Sequence, residues 1–189
     1  MAIIYFFQIS SAATMYGFTP IYAESIGASP GDLSLLTFFS TLPVAIAAWL
    51  SSTSLVKRYG ERQIVTTGLF LGAVAAAIVP FTKTLAHLYT TQAIGSLGRG
   101  IVFPILMGLS IQTVSEEKRA TAMGFFQAIY ALGMFGGPVV VGIIGDISGL
   151  TGGFLATGLT GLIGGWLALR LLPGGRYGER YQSGLVGKQ

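Results

Sequence analysis

The residue with the most chemistry to offer is Arg99, which stands near the middle of an apolar run between Gly98 and Gly100. A central arginine in a membrane helix costs about 2.5–3.5 kcal/mol on insertion scales, so it faces a cavity or a partner. At helical spacing Gln92, Ser96, Arg99 and Ser110 share one stripe, with Phe103 and Leu106 between them. A second polar stripe, Gln8, Ser11, Met15, Thr19 and Tyr22, runs through the first apolar segment. No Asp or Glu occupies the middle of any apolar run. Arg99 therefore binds an anionic group, faces water, or pairs with an acid from outside the chain. The plainer alternative is a structural arginine satisfied by backbone carbonyls. Serine and threonine in membrane helices, likewise, more often pack than bind.

This is the chemistry of recognition. There is one histidine and no cysteine, so no thiolate nucleophile, disulfide or cysteine metal site can form. Paired intramembrane acids and a phosphate-binding loop with its lysine are also missing. No catalytic residue, metal site or cofactor is expected. His87 reads as a solvated end residue, Glu24 and Asp32 as loop acids, and Gln127 and Tyr130 as weaker candidates at a cavity edge.

The elements that must hold these residues are set by composition. Apolar residues make up 52% of the chain and charged residues 10%, against roughly 25% charged in ordinary globular proteins. The mean hydropathy is +0.70. Apolar runs of bilayer length recur, with charges gathered between them. They predict six transmembrane helices, at Ala2–Ala23, Leu33–Leu55, Gln63–Phe81, Leu88–Thr113, Ala122–Gly145 and Phe154–Leu172. A soluble six-helix protein would show amphipathic outer faces, whereas segments such as GLFLGAVAAAIVP are apolar all round. A β-barrel would show short alternating segments instead. The first run lacks the basic start of a signal peptide.

Basic residues set the expected orientation. Lys57, Arg58 and Arg62 follow the second span, Lys118 and Arg119 follow the fourth, and Arg170, Arg176, Arg180 and Lys188 close the chain. Only Lys83 and Arg99 lie elsewhere. Basic loops stay cytoplasmic, which places both termini inside a cell membrane. The net charge of +4 is then a topology signal. The charges hug membrane ends and form no patch with aromatic platforms, so no nucleic-acid partner is expected. Residues 1–173 read as the bundle and 174–189 as a short cytoplasmic tail, disordered and held near anionic lipid by its arginines.

The fifth span, GFFQAIYALGMFGGPVVVG, holds five glycines and a proline. In lipid, helices associate through close packing that small residues permit. Gly133 and Gly137 share a face, while Gly124, Ala128, Ala131 and Gly142 fall on the opposite one. The helix can thus press on neighbours on both sides, and the bundle can repair the hydrogen bond that Pro138 removes.

Here the chain resembles the major facilitator superfamily. Gly124, Gly133, Gly137-Pro138 and Gly142 match most of that family's fifth-helix glycine-proline pattern, with Val141 in place of the first of a glycine pair. The loop TSLVKRYGERQ resembles the signature between its second and third helices, or the repeat between the eighth and ninth. Arg58, Gly60 and Arg62 fit; Thr53, Lys57 and Glu61 depart from it. The order GSLGRGIVFP, EEKR, TAMGFFQAIYALGMFGGP is similar to the tenth-to-eleventh helix region. The resemblance covers about residues 1 to 173.

The resemblance implies an all-α membrane protein built as a 3+3 inverted repeat, one half of a twelve-helix fold. Degenerate loop residues and a start directly in membrane-like sequence suggest the C-terminal half, as a fragment, a separately encoded half or a truncated gene product. Weak internal pairs fit the repeat: Pro20 with Pro104, Pro43 with Pro138, and Thr67-Gly68-Leu69 with Thr157-Gly158-Leu159. In such a half the first and fourth helices line the cavity, which makes Arg99, Gln92, Ser96, Gln8, Ser11 and Thr19 the implied substrate pathway. The second and fifth helices face the other half. The implied function is secondary transport of a small organic solute by alternating access, with lipid, the solute and a second six-helix half as partners. The alternative is a non-transporting orphan half, acting as an assembly partner or homodimer.

Overall fold

The computed structural model describes residues 2–51, 56–112, 114–172 and 174, with the side chain of Lys57 left out. The helices are α1 (Ala2–Ser25), α2 (Pro30–Leu50), α3 (Val56–Tyr59), α4 (Glu61–Ile78), α5 (Leu85–Ile111) and α6 (Arg119–Leu171). Short 3-10 turns sit at Val79–Phe81 and Glu116–Lys118, and no strand occurs among the described residues. The expected ends of the second and fourth spans, Thr53 of the loop motif and nearly all of the tail lie outside the described residues.

Four stretches are long and apolar enough to cross a membrane: Pro30–Leu50, Glu61–Phe81, Leu85–Ile111 and Glu116–Leu171. Helix α1 has comparable length, 24 residues, but carries Gln8, Ser10, Ser11, Thr14 and Thr19, all buried. Its polarity is turned inward. Helix starts follow local chemistry. Ser29 caps α2 in a reciprocal capping box with Asp32, and Pro30 opens the helix. Thr84 caps α5 by accepting from the His87 N–H.

One expectation is corrected. The sequence reading places a loop between Gly145 and Phe154, but helix continues through that stretch as part of α6. Its 53 residues would reach about 80 Å if straight, far beyond a hydrocarbon core of about 30 Å. The one interruption is Gly149, at φ 73° and ψ 175°, a region essentially closed to other residues. Two arms, 119–148 and 150–171, fold back on each other there, with Gly153 facing Val141 and Gly145. Val141, the departure from the family's glycine pattern, fills this corner.

Side-chain contacts fix the directions. The first arm runs parallel to α1: Tyr5 stacks on Phe126 with centroids 4.3 Å apart, Gly133 faces Phe6 and Ile9, Gly137 faces Ser10, and Gly142 meets Phe18. The second arm runs antiparallel to α1, since Phe154 meets Tyr22 and Gly164 faces Phe7 and Ile4. Helices α2 and α5 are parallel, with Tyr89 Oη donating to Asp32 over 3.1 Å and Gly100 against Val44 and Ala47. Helix α4 opposes α5, its Gly68 lying on Gly98 and Val102. Alternate turns therefore gather at opposite ends. One end holds the Tyr22 hydroxyl donating to the carbonyls of Pro80 and Thr82; at the other, Gly174 lies beside Arg62. Each end has its own core, one around Tyr5, Leu69, Leu106 and Phe126, the other around Met15, Leu36, Leu88 and Phe154.

The glycine pattern of α6 divides. Gly133 and Gly137 are buried, and a Cβ at Gly137 would lie 2.7 Å from the Ser10 Cα. Gly124, Ala128 and Ala131 are exposed, and a Cβ at Gly124 would meet nothing within 4 Å. Gly142 departs from the expected face: it is partly buried and lies against the long Phe18 side chain. One small-residue face is thus closed on α1, and the opposite one is open.

Candidate functional site

Arg99 owes its position to its neighbours in sequence. A Cβ on Gly98 would overlap the Gly68 carbonyl of α4, and a Cβ on Gly100 would lie 2.8 Å from the Val44 Cα of α2. Two successive close crossings therefore pin α5 on either side of Arg99 and direct its side chain toward α1. There the guanidinium donates from Nη2 to the Ser96 hydroxyl at 2.5 Å, and its Cζ lies 5.1 Å from the centroid of the Tyr16 ring. The latter is cation–π geometry. Arg99 is 9% exposed, and its Nε has no hydrogen-bond partner among the described residues.

Helices α1 and α2 diverge above this residue and leave a groove floored by α5. The groove has a volume of about 240 Å³ and is lined by Tyr5, Gln8, Ile9, Ala12 and Tyr16 of α1, Val44 and Ala48 of α2, Arg99, Gly100 and Phe103 of α5, and Tyr130 of α6. Tyr5 anchors an aromatic cluster, with Phe103 and Tyr130 both 5.6 Å away by ring centroid. Behind Arg99 lies a smaller cavity of about 20 Å³, bounded by Gln8, Ser11, Gly68, Gly72, Gly98 and Arg99 among others. That is room for a single water. Among the described residues, no Asp or Glu lines either space.

The sequence-derived pathway residues are all buried. Gln8 and Arg99 line both cavities, Ser11 lines the inner one, and Ser96 holds Arg99. Thr19 lies farther along α1, beside a separate chamber. Gln92 lines none of these spaces, although its Nε2, like Gln8 Oε1, Thr19 Oγ1 and Tyr5 Oη, is buried without a hydrogen-bond partner among the described residues. Gln127 and His87 are exposed, and so is Glu24. The sequence reading passed over Tyr16, Tyr5 and the α2 wall. Tyr5 and Tyr16 do fall at helical spacing with Gln8, Ala12 and Thr19, and that period was the available signal.

In the loop motif, Gly60 takes φ 82° as the residue preceding α4, a conformation that suits glycine. Arg58 is exposed, with its Cζ 5.4 Å from the Tyr59 ring, and Arg62 is partly buried.

Comparison with known proteins adds the lineage. The family model for the Major Facilitator Superfamily matches residues 1–187. The chain is 25% identical to the class B tetracycline resistance protein of Escherichia coli, covering 60% of this chain and 28% of that protein. It is 23% identical to the riboflavin transporter RibZ of Clostridioides difficile, over 69% of this chain and 28% of the relative. A class C tetracycline resistance protein of Escherichia coli is 26% identical over 85% of this chain and 39% of its own length. The chain thus spans well under half the length of these relatives.

Proposed function

The chain belongs to the major facilitator superfamily, a family of multi-pass membrane proteins, and from that premise we propose that it is one six-helix half of a secondary transporter. It moves a small organic solute by alternating access, and it performs no catalysis. Counting the two arms of α6 separately gives six long helices, which supports six membrane crossings. The 3+3 reading is supported by a contact pattern that survives exchange of the first three crossings with the last three. The first packs on the fifth through Gly133 and Gly137, and the fourth packs on the second through Gly100. Relatives named for tetracycline resistance and riboflavin transport favour an organic solute.

The observation that carries the reading is Arg99: a cation held inside the bundle, open to a groove, with no carboxylate along that groove. In this role Arg99 takes the anionic group of the solute, Ser96 sets the guanidinium, and Tyr16 shields it. A second body completes the site. The apolar faces left open on α2 (Phe38, Leu42, Trp49) and on the first arm of α6 (Phe125, Leu132, Phe135) suit either a partner half or a second copy. The test is reconstitution in liposomes with a matching half. Arg99→Ala should cut uptake of anionic solutes at least tenfold, as loss of a charge-assisted hydrogen bond worth about 1.5–3 kcal/mol implies. Unaltered uptake across an anionic panel would end the assignment. Flux from the chain alone would identify a homodimer, and no flux with any half would favour the orphan reading.

A further inference from the structure

On the far side of Tyr16 from the Arg99 groove lies a second chamber of about 120 Å³ between α1 and α2. Tyr16 is a wall of both spaces. Thr19, Pro20, Thr37, Ser40 and Thr41 line the chamber together with the apolar Met15 and Leu36, and Tyr16 stands at its boundary. Thr19 is about 5 Å farther along α1 than Tyr16 at the helical rise.

The chemistry of this chamber differs from that of the groove, because no charged side chain lines it. Thr19 is 2% exposed, and its hydroxyl has no hydrogen-bond partner among the described residues. Nearby hydroxyls behave otherwise: Thr14 donates to the Ser10 carbonyl, Thr37 to that of Leu33, and Ser40 to that of Leu36. Folding back on the preceding turn is the ordinary habit of a helical threonine, and Thr19 does not follow it. Pro20 has no N–H, so the Tyr16 carbonyl lacks its helical donor. Thr37 and Ser40, having donated, keep oxygen lone pairs. The chamber is therefore apolar for most of its lining, with the hydroxyl groups of Thr19, Thr37, Ser40 and Thr41 set into it. Such a set receives O–H groups.

We propose that the chamber is a second subsite, which takes the hydroxyl-bearing end of an organic anion whose charged group rests on Arg99. The assignment builds on the anion-binding role of Arg99 and narrows the solute to a short hydroxylated oxyanion. Tyr16 divides the two ends and sets their separation.

The test is calorimetric titration of the full chain in nanodiscs with gluconate, hexanoate and sorbitol, in potassium and then sodium buffer. Gluconate should bind at least tenfold more tightly than hexanoate, and sorbitol should not bind measurably. Thr19→Val should bring the two anions within twofold of each other while leaving hexanoate unchanged, and Thr19→Ser should restore the preference. Because the Thr19 hydroxyl has no partner, the valine variant should keep the wild-type melting temperature; if it does not fold, Thr41→Val serves in its place. Equal binding of gluconate and hexanoate by the wild type overturns the subsite and leaves the Arg99 reading standing. A preference unmoved by Thr19→Val and Thr41→Val also overturns it. Binding heat that follows sodium and ignores hydroxyl content makes the chamber a cation site and overturns it as well. Failure of gluconate and hexanoate alike to bind, with a matching half present as well as without it, overturns both readings.

Discussion

At the scale of single residues, the buried polar atoms sort into those that are satisfied and those that are held ready. Tyr5 is fully buried, and its hydroxyl has no hydrogen-bond partner among the described residues, while its ring carries the aromatic cluster. An unmet buried hydroxyl costs about 1–3 kcal/mol. Tyr5→Phe should therefore leave the melting temperature in nanodiscs unchanged or raise it by a few degrees; a fall would reveal a partner for the hydroxyl. Arg99 and Gln8 were legible in the sequence because a charge and an amide stand out against an apolar run. Tyr16 and the α2 hydroxyls were not. Thr37, Ser40 and Thr41 look like packing residues until the divergence of α1 from α2 opens a space between them, and that divergence is a property of two distant segments.

At the scale of elements, glycines decide which helices touch. A side chain at Gly137 would strike Ser10 of α1, whereas one at Gly124 meets open space. Overpacking of a close crossing costs about 1–3 kcal/mol. Gly137→Val should lower the thermal stability of the isolated chain by several degrees, and Gly124→Val should leave it unchanged. If the exposed face is the seam with a second body, Gly124→Val should still impair transport in the reconstituted pair. The glycine spacing could be read in the sequence, but only the fold shows which face is closed. The corner of α6 was misread for a related reason. Asp146, Ser148, Gly149, Gly152 and Gly153 are all turn-forming types, and sequence alone gave no ground for choosing one reversal point among them.

At the scale of the whole molecule, orientation is the remaining question. Arg58, Arg62, Arg119 and Arg170 gather at one end with Trp49 and Trp166, and Arg170 Cζ lies 5.4 Å from the Trp166 ring. The basic residues favour a cytoplasmic face, and the tryptophans suit a membrane interface on either side. The chain has no cysteine, so single substitutions report cleanly. In intact cells an impermeant maleimide should label Lys83→Cys and should reach Glu117→Cys only after permeabilisation; the reverse pattern would invert the topology. The recurrence of stretches long and apolar enough to cross a membrane was legible from hydropathy, since the length of an apolar run is a local property. How those crossings pair was not. The single-residue corner at Gly149 also bears on how the protein is made. If both arms cross the membrane, arms joined without slack should enter the lipid together, as a ready-made hairpin.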